Sequence, residues 1–470
     1  MRRAAIRATL LGLLLFLVVS PTARAERGLI TGFSDDVLSA PDPQTRADWL
    51  QRTVDSNAGL VMLTFSWRGL TAGKPADATD PADPAYGFER IDDAVRDATE
   101  RGLDVMLTFT YAPGYAEGPN RPANIVQGAW RPDPAAFGEF ARAVGKRYSG
   151  NYAPPGAMGP LPRVPYLQPW SEPNLIDHLA PQYEDNGAPS SPDQYRALLN
   201  AFYDGVKAVS PGTKVVGAGT APYGDPENIS SITPLRFWRD IFCLRDRKRL
   251  KPFKCGSYPK LDVFAHNAIT NPGGPDEPAG LADNASTADF GKIRRVVRAA
   301  ERAKHVKPGG TRPLWSTEMW WSTHPKTGIS RKRQARWIQQ ALFILWRGGA
   351  SVALNLQIRD GDRTRGGDTA DLLQSGLYSH GGHPKPSLQA FRFPFVVERQ
   401  GRSRKSTAWG KAPQAGKLVI ERRAERGGWR RLRRIRVNAG DVFQRTVPVT
   451  GGAYRARVGG QSSVVWTQQR

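Results

Sequence analysis

Two glutamates each close a short apolar run and stand among tryptophans, which makes them the first candidates for chemistry. Glu172 lies in the segment WSEPN (170–174) and Glu318 in the segment WSTEMWW (315–321). An ionised carboxylate at the end of a buried strand is costly unless the protein uses it. Two such carboxylates are the minimum needed to cut a glycosidic bond. The sequence therefore predicts a glycosidase.

The segments around these glutamates alternate between short apolar runs and longer amphipathic stretches, as in parallel strands joined by helices. Eight predicted strands cover residues 29–33, 60–67, 104–111, 165–170, 214–219, 262–267, 313–317 and 352–357. Predicted helices include residues 88–101, 135–148, 192–209, 288–304 and 331–347. This order favours an α/β fold, a (β/α)8 TIM barrel over residues 26–395. The first strand is not followed by Gly-x-Gly-x-x-Gly, which argues against a nucleotide-binding open sheet.

The two ends of the chain differ in character from the barrel. Residues 1–25 combine a basic start, a run of about ten apolar residues and a small-residue site, the pattern of a signal peptide. That run is too short to span a membrane, so we expect a secreted, extracellular protein without a transmembrane segment. Residues 396–470 contain short alternating segments separated by glycines, which predicts a small C-terminal antiparallel β-sandwich domain.

Positive charge is concentrated in the predicted sandwich. The chain has a formal net charge of +24, and residues 401–470 hold 17 Lys/Arg against 3 Asp/Glu. A basic domain on an exported protein would be attracted to an anionic cell-surface polymer. The alternative is an ordinary solvated basic surface. Nucleic acid is not an expected partner of an exported protein.

The predicted strand order places both glutamates at one end of the barrel. Glu172 leaves the fourth strand and Glu318 leaves the seventh, and active sites of this fold lie at the carboxyl ends of the strands. Here the chain resembles glycoside hydrolase clan A, the retaining (β/α)8 glycosidases, and is nearest to family 39. In that family the motif after strand four reads Asn-Glu-Pro-Asn. Glu172, Pro173 and Asn174 match it, whereas Ser171 replaces an asparagine that contacts the sugar 2-hydroxyl.

The resemblance implies a role for each acid. Glu318 would be the ionised nucleophile, and Glu172 would be the protonated acid/base residue, its pKa raised by repulsion from its neighbour. The resemblance also implies that His266, in the strand-six segment, contacts the nucleophile. The expected substrate is an oligo- or polysaccharide. A non-catalytic carbohydrate-binding barrel with a basic anchoring domain stays open as the alternative, because of Ser171.

Further residues near the predicted strand ends are candidates for binding sugar. Trp170 and either Trp320 or Trp321 could line the cleft, since flat aromatic rings suit the apolar faces of sugars. Ser171 and Asn174 adjoin the first acid, and Asn355 ends the eighth strand, where its amide could bind a sugar hydroxyl or a barrel loop.

The sequence predicts a disulfide but no cofactor. Cys243 and Cys255 are the two cysteines of the chain, and an oxidising compartment favours a bond between them over two free thiols. Residues 360–371 contain acids at spacings similar to those of a calcium-binding loop, but the segment lacks the glycine that such a loop has at its sixth position. No metal is therefore expected.

Overall fold

The computed structural model describes residues 28–468 except 218, 271–272, 363–373, 400, 402–404, 425–426 and 449–450. The predicted signal peptide and most of the 360–371 loop lie outside the described residues. The barrel strands and a small hairpin are β1 Ile30–Ser34, β2 Leu60–Ser66, β3 Asp104–Thr110, β4 Tyr166–Pro169, β5 Lys214–Val215, β6 Leu244–Arg245, β7 Lys251–Pro252, β8 Phe264–Asn267, β9 Leu314–Met319 and β10 Ala350–Leu356.

Helices alternate with these strands. They are α1 Pro43–Asp55, α2 Glu89–Glu100, α3 Pro134–Arg147, α4 Ser191–Val209, α5 Pro234–Ile241, α6 Phe290–Arg302, α7 Arg331–Gly348 and α8 Pro386–Arg392. Several begin as the sequence indicates. Asp42 and Asp133 cap the first turns of α1 and α3 with their side chains, and a proline follows each of them.

The eight parallel strands form one sheet in the order β5-β4-β3-β2-β1-β10-β9-β8. Parallel bridges from Val216 to Val263 and from Thr220 to His266 join its two edges, so the sheet closes on itself. The (β/α)8 TIM barrel is confirmed. The observed bounds lie within two residues of the predicted ones except at β5, which ends at Val215 rather than at residue 219.

The barrel strands are buried on both faces, as in other parallel sheets covered by helices. Alternate side chains fill the barrel interior as a separate apolar cluster that includes Leu60, Met62, Met106, Trp315 and Leu354. Their neighbours along the strands point outward into the main core beneath the helices. Function is therefore confined to the ends of the strands, where the interior opens.

The chain beyond α8 forms antiparallel sheets, which confirms the C-terminal sandwich. Its strands are β11 Phe395–Arg399, β12 Lys405–Lys411, β13 Gly416–Arg423, β14 Arg430–Val437, β15 Val442–Pro448, β16 Gly452–Val458, β17 Gln461–Ser462 and β18 Trp466–Gln468. One sheet has the order β11-β12-β15, and the other has the order β14-β13-β16-β17 with β18 paired to β16.

The sandwich packs directly on the barrel. The Trp409 ring lies 5.4 Å from Phe343 and 5.8 Å from Trp346, both on α7, measured between ring centroids. Lys411 is buried, and its Nζ donates to Thr31 Oγ1 at 2.9 Å and to the Asn57 carbonyl at 2.7 Å. Aromatic packing and a buried polar contact therefore join the two parts of the chain.

None of the helices in the described part of the chain combines the length and hydrophobicity that a membrane span requires. Within the same residues, no three His, Cys, Asp or Glu side chains come together as metal ligands.

Candidate active site

The structure brings the two predicted glutamates together around the side chain of Asn267. Glu172 follows β4, Glu318 is the penultimate residue of β9, and Asn267 ends β8 between them. Asn267 Nδ2 donates to Glu172 Oε1 at 2.9 Å. On the other side, Asn267 is paired in register with Glu318 across β8 and β9. The two carboxyls thus converge at the carboxyl end of the barrel.

A bulge in β9 creates this pairing. His266 pairs with Ser316, but the next residue, Asn267, pairs with Glu318, so Thr317 is the extra residue of the bulge. Thr317 Oγ1 donates to Asn267 Oδ1 at 2.8 Å. The Asn267 amide is therefore oriented, with its NH2 group directed at Glu172. Bulges that redirect a side chain are common beside active sites.

Gly219 provides the room for this arrangement. A Cβ at residue 219 would lie 2.5 Å from Asn267 Oδ1 and 2.6 Å from Thr317 Oγ1, closer than real Cβ contacts. The carbonyl of Gly219 also accepts a hydrogen bond from the Glu172 backbone N–H at 2.8 Å. One glycine therefore permits the Asn267–Thr317 contact and fixes the backbone of Glu172.

The Glu172 side chain lies at the rim, 17% exposed. Its backbone is left-handed, with φ of 48°, and the same holds for Trp170 at 71°. Such backbones are strained for residues other than glycine and cluster at functional sites. His178 Nε2 lies 3.7 Å from Glu172 Oε2, and its ring centroid lies 6.0 Å from that of Tyr111. Burial, followed by the charges of Asp177 and Glu172, raises the Tyr111 pKa.

Glu318 is the one partly exposed residue of β9, and the other residues of the strand are buried. Its carboxyl faces the mouth, which is the open end of the barrel where the carboxyl ends of the strands meet. Burial and then the charge of Glu172 raise the Glu318 pKa well above its ordinary value, and the hydrogen bond from Asn267 opposes this rise. The sequence analysis assigned the raised pKa to Glu172. In the structure, burial and the charge of Glu172 raise the pKa of Glu318, and the protonated state of Glu172 stays a prediction.

The role assigned to His266 is wrong. His266 is fully buried, with Nδ1 2.9 Å from Thr220 Oγ1 and Nε2 2.8 Å from the Ala285 carbonyl. Both ring nitrogens are thus occupied away from Glu318. Burial lowers the His266 pKa to about 4, so the ring is neutral. Successive side chains of a strand point to opposite faces, and Asn267 rather than His266 faces the mouth.

The prediction that Trp170 lines the cleft is also wrong. Trp170 is fully buried, packs edge-on against Phe137, and donates from Nε1 to the His178 carbonyl at 2.7 Å. Its left-handed backbone turns the ring away from the mouth and into the core. Trp170 therefore supports the loop that carries Glu172 and His178.

The two tryptophans after Glu318 differ from each other. Trp321 is 3% exposed, donates from Nε1 to the Gly273 carbonyl at 3.0 Å, and packs edge-on against Trp337. Trp320 is partly exposed. Only Trp320 of this pair is accessible enough to meet a ligand.

Two of the predicted amide ligands are buried in the protein. Asn174 donates to the Ile232 carbonyl at 3.0 Å and accepts from the Ala221 backbone N–H at 2.8 Å, which ties the β4 loop to the β5 loop. Asn355 donates to the Gln357 carbonyl at 3.0 Å. Neither reaches the mouth surface, whereas Ser171 is partly exposed beside Glu172.

Sequence reasoning missed Asn267 and His178. A polar residue closing the sixth predicted strand was the available signal for Asn267. His178 lies in the loop after β4, and no pattern in the sequence marked it.

Comparison with known proteins gives similarity in structure but not in sequence. No known protein-family model matches this sequence, and no curated protein matches it. A family 39 glycoside hydrolase from the gut symbiont Bacteroides cellulosilyticus WH2 has a similar structure, with 16% identity, a TM-score of 0.51, and coverage of 90% of this chain and 81% of that one.

Two further solved structures are similar over comparable lengths. The GH39 enzyme from Xanthomonas axonopodis pv. citri has 15% identity and a TM-score of 0.50, with coverage of 92% of this chain and 93% of that chain. A glucosidase from Croceicoccus marinus has 14% identity and a TM-score of 0.50, with coverage of 88% and 81%. At these identities the similarity shows the fold alone, and it confirms the resemblance in fold to family 39.

Proposed function

We propose that this protein is a retaining glycoside hydrolase in which Glu318 is the nucleophile and Glu172 is the acid/base residue. The observation that carries the proposal is the convergence of both carboxyls on Asn267 at the open end of the barrel. Among solved structures of the same fold, one is named a family 39 glycoside hydrolase and another a glucosidase. These names support the same reaction class.

The proposed reaction has two steps. In the first, the Glu318 carboxylate attacks the anomeric carbon while Glu172 gives its proton to the departing glycosidic oxygen. In the second, ionised Glu172 takes a proton from water, and the water oxygen displaces Glu318 from the anomeric carbon. One water is consumed, and both carboxyls return to their starting forms.

This cycle needs one proton shared between the two carboxyls. The raised pKa of Glu318 supports retention of one proton by the pair above the ordinary pKa of a glutamate. In the free protein, burial favours placing that proton on Glu318. A bound glycosidic oxygen would accept a hydrogen bond from Glu172 and so draw the proton to the acid/base residue, leaving Glu318 ionised.

The experiment is to replace each acid by its amide. E318Q should abolish turnover, and E172Q should slow turnover most for substrates with poor leaving groups, since those need the proton. E184Q is a matched control, because Glu184 pairs with Arg131 on the surface. Activity would be measured on a panel of chromogenic pyranosides and furanosides.

A fluorosugar that traps the glycosyl-enzyme should label Glu318, located by peptide mass spectrometry. Unchanged hydrolysis in both E172Q and E318Q would contradict the proposal. Labelling of another residue would contradict the assignment of the nucleophile.

A non-catalytic carbohydrate-binding protein is the second candidate. It is favoured by Ser171, which replaces the family asparagine, and by a basic face on the sandwich. This basic face consists of outward-facing residues on β13, β14 and β16, namely Lys417, Arg431, Arg434, Arg436, Arg455 and Arg457. Binding without turnover across the panel would favour this candidate.

The basic face suits an anionic cell-surface polymer. Glu421 is the one acid in the three strands, and it pairs with Arg455 at 2.8 Å. Alternate residues on these adjacent strands place the cations on one face of the sheet, and a surface of one charge sign attracts polyanions. The signal-peptide pattern and the disulfide between Cys243 and Cys255 support export to a compartment where such polymers occur.

A further inference from the structure

The disulfide closes a strongly basic loop that the proposed reaction does not use. Residues 244–254 contain six Lys/Arg and one Asp, and the hairpin of β6 and β7 lies within them. Residues 245–249 at its tip are exposed. Asp246 accepts from the backbone N–H groups of Lys248 and Arg249 at 2.9 and 3.0 Å, which fixes the shape of the tip.

The tip of this loop forms one wall of a cleft of about 390 Å³, whose other walls are α5 and α6. The apolar part of the lining is Leu235, Ala282 and Val296. Five cationic side chains also line the cleft, namely Arg239, Arg247, Lys248, Lys292 and Arg295. We call this the basic cleft.

Two of these five cations are neutralised by neighbouring acids. Arg239 makes two hydrogen bonds of 2.8 Å to the Asp283 carboxylate. Lys292 Nζ lies 2.9 Å from Asp289. Arg247, Lys248 and Arg295 have no carboxylate within ion-pair distance among the residues that the structure describes. The basic cleft therefore has an excess of unneutralised positive charge.

The loop backbone and one of these three cations, Arg295, are held in place. Arg295 donates from its guanidinium to the Arg247 carbonyl at 3.2 Å, which fastens the loop tip to α6. At its other end the loop is closed by the bond between Cys243 and Cys255. Because its guanidinium is already bonded to the loop, Arg295 loses less freedom on binding an anion than a flexible surface lysine does.

We propose that the basic cleft binds an oxyanion group, a sulfate, phosphate or carboxylate, carried by a polysaccharide. Guanidinium groups match the planar or tetrahedral oxygens of such anions with paired hydrogen bonds. The apolar floor suits the carbon face of the sugar that carries the anion. A free inorganic anion would leave that floor unfilled.

The position of the basic cleft supports a link to the substrate. The backbone N–H of Ile232 donates to the carbonyl of Asn174 at 2.9 Å, two residues after Glu172. Leu235, which lines the cleft, follows three residues later and donates to the Asp283 carbonyl at 3.0 Å. The segment that leads into one wall of the cleft is thus hydrogen-bonded to the loop that carries Glu172. Choosing a polysaccharide as the carrier rests on the proposed function.

The test is local protection of cleft lysines from an amine-reactive reagent, measured by peptide mass spectrometry. It uses the full chain with E318Q, so that hydrolysis of the polymer cannot change the readout. Dextran sulfate and polygalacturonate are the anionic probes, and dextran is the neutral one. We expect the anionic probes to slow acylation of Lys248 and Lys292 severalfold, leaving Lys74 and Lys214 on the barrel surface unaffected.

A paired substitution links this protection to the cleft. R247Q/R295Q should raise the half-saturating probe concentration for Lys248 by about tenfold. The control R142Q/R302Q removes two exposed barrel arginines and should leave that concentration unchanged. If the double variant does not fold, R247Q alone tests the same point, because the Arg247 carbonyl still holds the loop tip.

The outcomes separate this proposal from the proposed function, because binding is scored without turnover. Unslowed acylation of Lys248, or equal slowing at Lys214, overturns the basic cleft whatever the hydrolysis assays give. Protection by duplex DNA or by phosphatidylglycerol vesicles at lower concentrations than by the polysaccharides overturns the assignment of the carrier. Inorganic phosphate protecting Lys248 as well as dextran sulfate does would show an adventitious ion only and overturn it also.

Discussion

Asn267 joins the two candidate catalytic acids, donating its amide to Glu172 Oε1 at 2.9 Å while sitting in register with Glu318 on the next strand. Its oxygen accepts from Thr317 Oγ1 at 2.8 Å, so the amide cannot flip without losing that bond. We infer that Asn267 is a positioning residue. It aims the carboxyl of Glu172 and limits the rise in the pKa of Glu318.

Replacing Asn267 should therefore misplace the Glu172 carboxyl and raise the Glu318 pKa. We expect N267A to lower kcat by about 100-fold, because a displaced catalytic group costs that order of rate. It should also raise the Glu318 pKa further, since it removes the hydrogen bond that favours the ionised form, and so shift the acid limb of the pH–rate profile upward. Steady-state kinetics across pH measures both effects.

N200A is the matched control for N267A. Asn200 on α4 makes a side-chain hydrogen bond of similar kind, to the Tyr258 carbonyl at 3.1 Å, away from the mouth. An N267A protein with the rate and pH profile of N200A would show that the amide only fills space.

The pattern of the sequence was sufficient for the barrel and for both acids. Strand lengths, helix caps and the two glutamate segments place Glu172 and Glu318 at strand ends, and strand order then brings them to one rim. These predictions succeed because the strands and helices follow from local sequence patterns, and the strand order follows from the fixed handedness of strand–helix–strand units.

The orientation of the side chains around the two acids depends on irregular backbone. The alternation of apolar and polar residues in the sequence does not predict such irregularities. The β9 bulge at Thr317 sets Asn267 opposite Glu318, so Asn267 and not His266 lies beside this carboxyl. The left-handed backbone of Trp170 turns a predicted cleft residue into the core.

Glu318 should reduce the stability of the fold at neutral pH. Its pKa is raised on folding, so between the unfolded and folded pKa values the native state binds more protons, and stability falls as pH rises. E318Q removes this penalty. We expect E318Q to unfold at a higher temperature than the wild type at pH 8, with little difference at pH 4, as measured by calorimetry.

E172Q offers an internal comparison for this result. It removes the second cause of the raised pKa, the charge of Glu172, and leaves burial, so it should recover only part of the stability gained in E318Q. Equal unfolding temperatures for wild type and E318Q across the pH range would contradict the raised pKa.

Lys411 predicts a second pH dependence, of the opposite sign. Burial lowers its pKa from 10.5 to about 8. Between these values the unfolded chain binds more protons than the folded one, so stability should rise with pH, by about 3 kcal/mol in total. K411M should remove this rise. Denaturant unfolding at several pH values between 7.5 and 10.5 measures it.

K417M is the control for K411M, because Lys417 is exposed on β13. It should retain the rise with pH. A K411M protein that still gains stability over the same window would show that another group is responsible.

The sandwich should be required for a soluble barrel. Without it, Phe343 and Trp346 on α7 would lose Trp409, and the buried polar contact of Lys411 with Thr31 would also disappear. We expect a chain ending at residue 394 to aggregate, as judged by size-exclusion chromatography. A monomeric truncated protein with full catalytic rate would contradict this and leave surface binding as the domain's role.

The basic face predicts salt-dependent adhesion that is independent of catalysis. R431Q/R434Q/R436Q removes three outward cations from the edge strand β14, so retention on immobilised dextran sulfate should end at a lower salt concentration. The control R142Q/K214Q/R302Q removes the same charge from the barrel and should elute close to the wild type. Because the face carries no catalytic group, kcat should be the same in all three proteins. Equal shifts in both triple variants would mean that adhesion follows net charge, and that the arrangement of arginines on the sheet adds nothing.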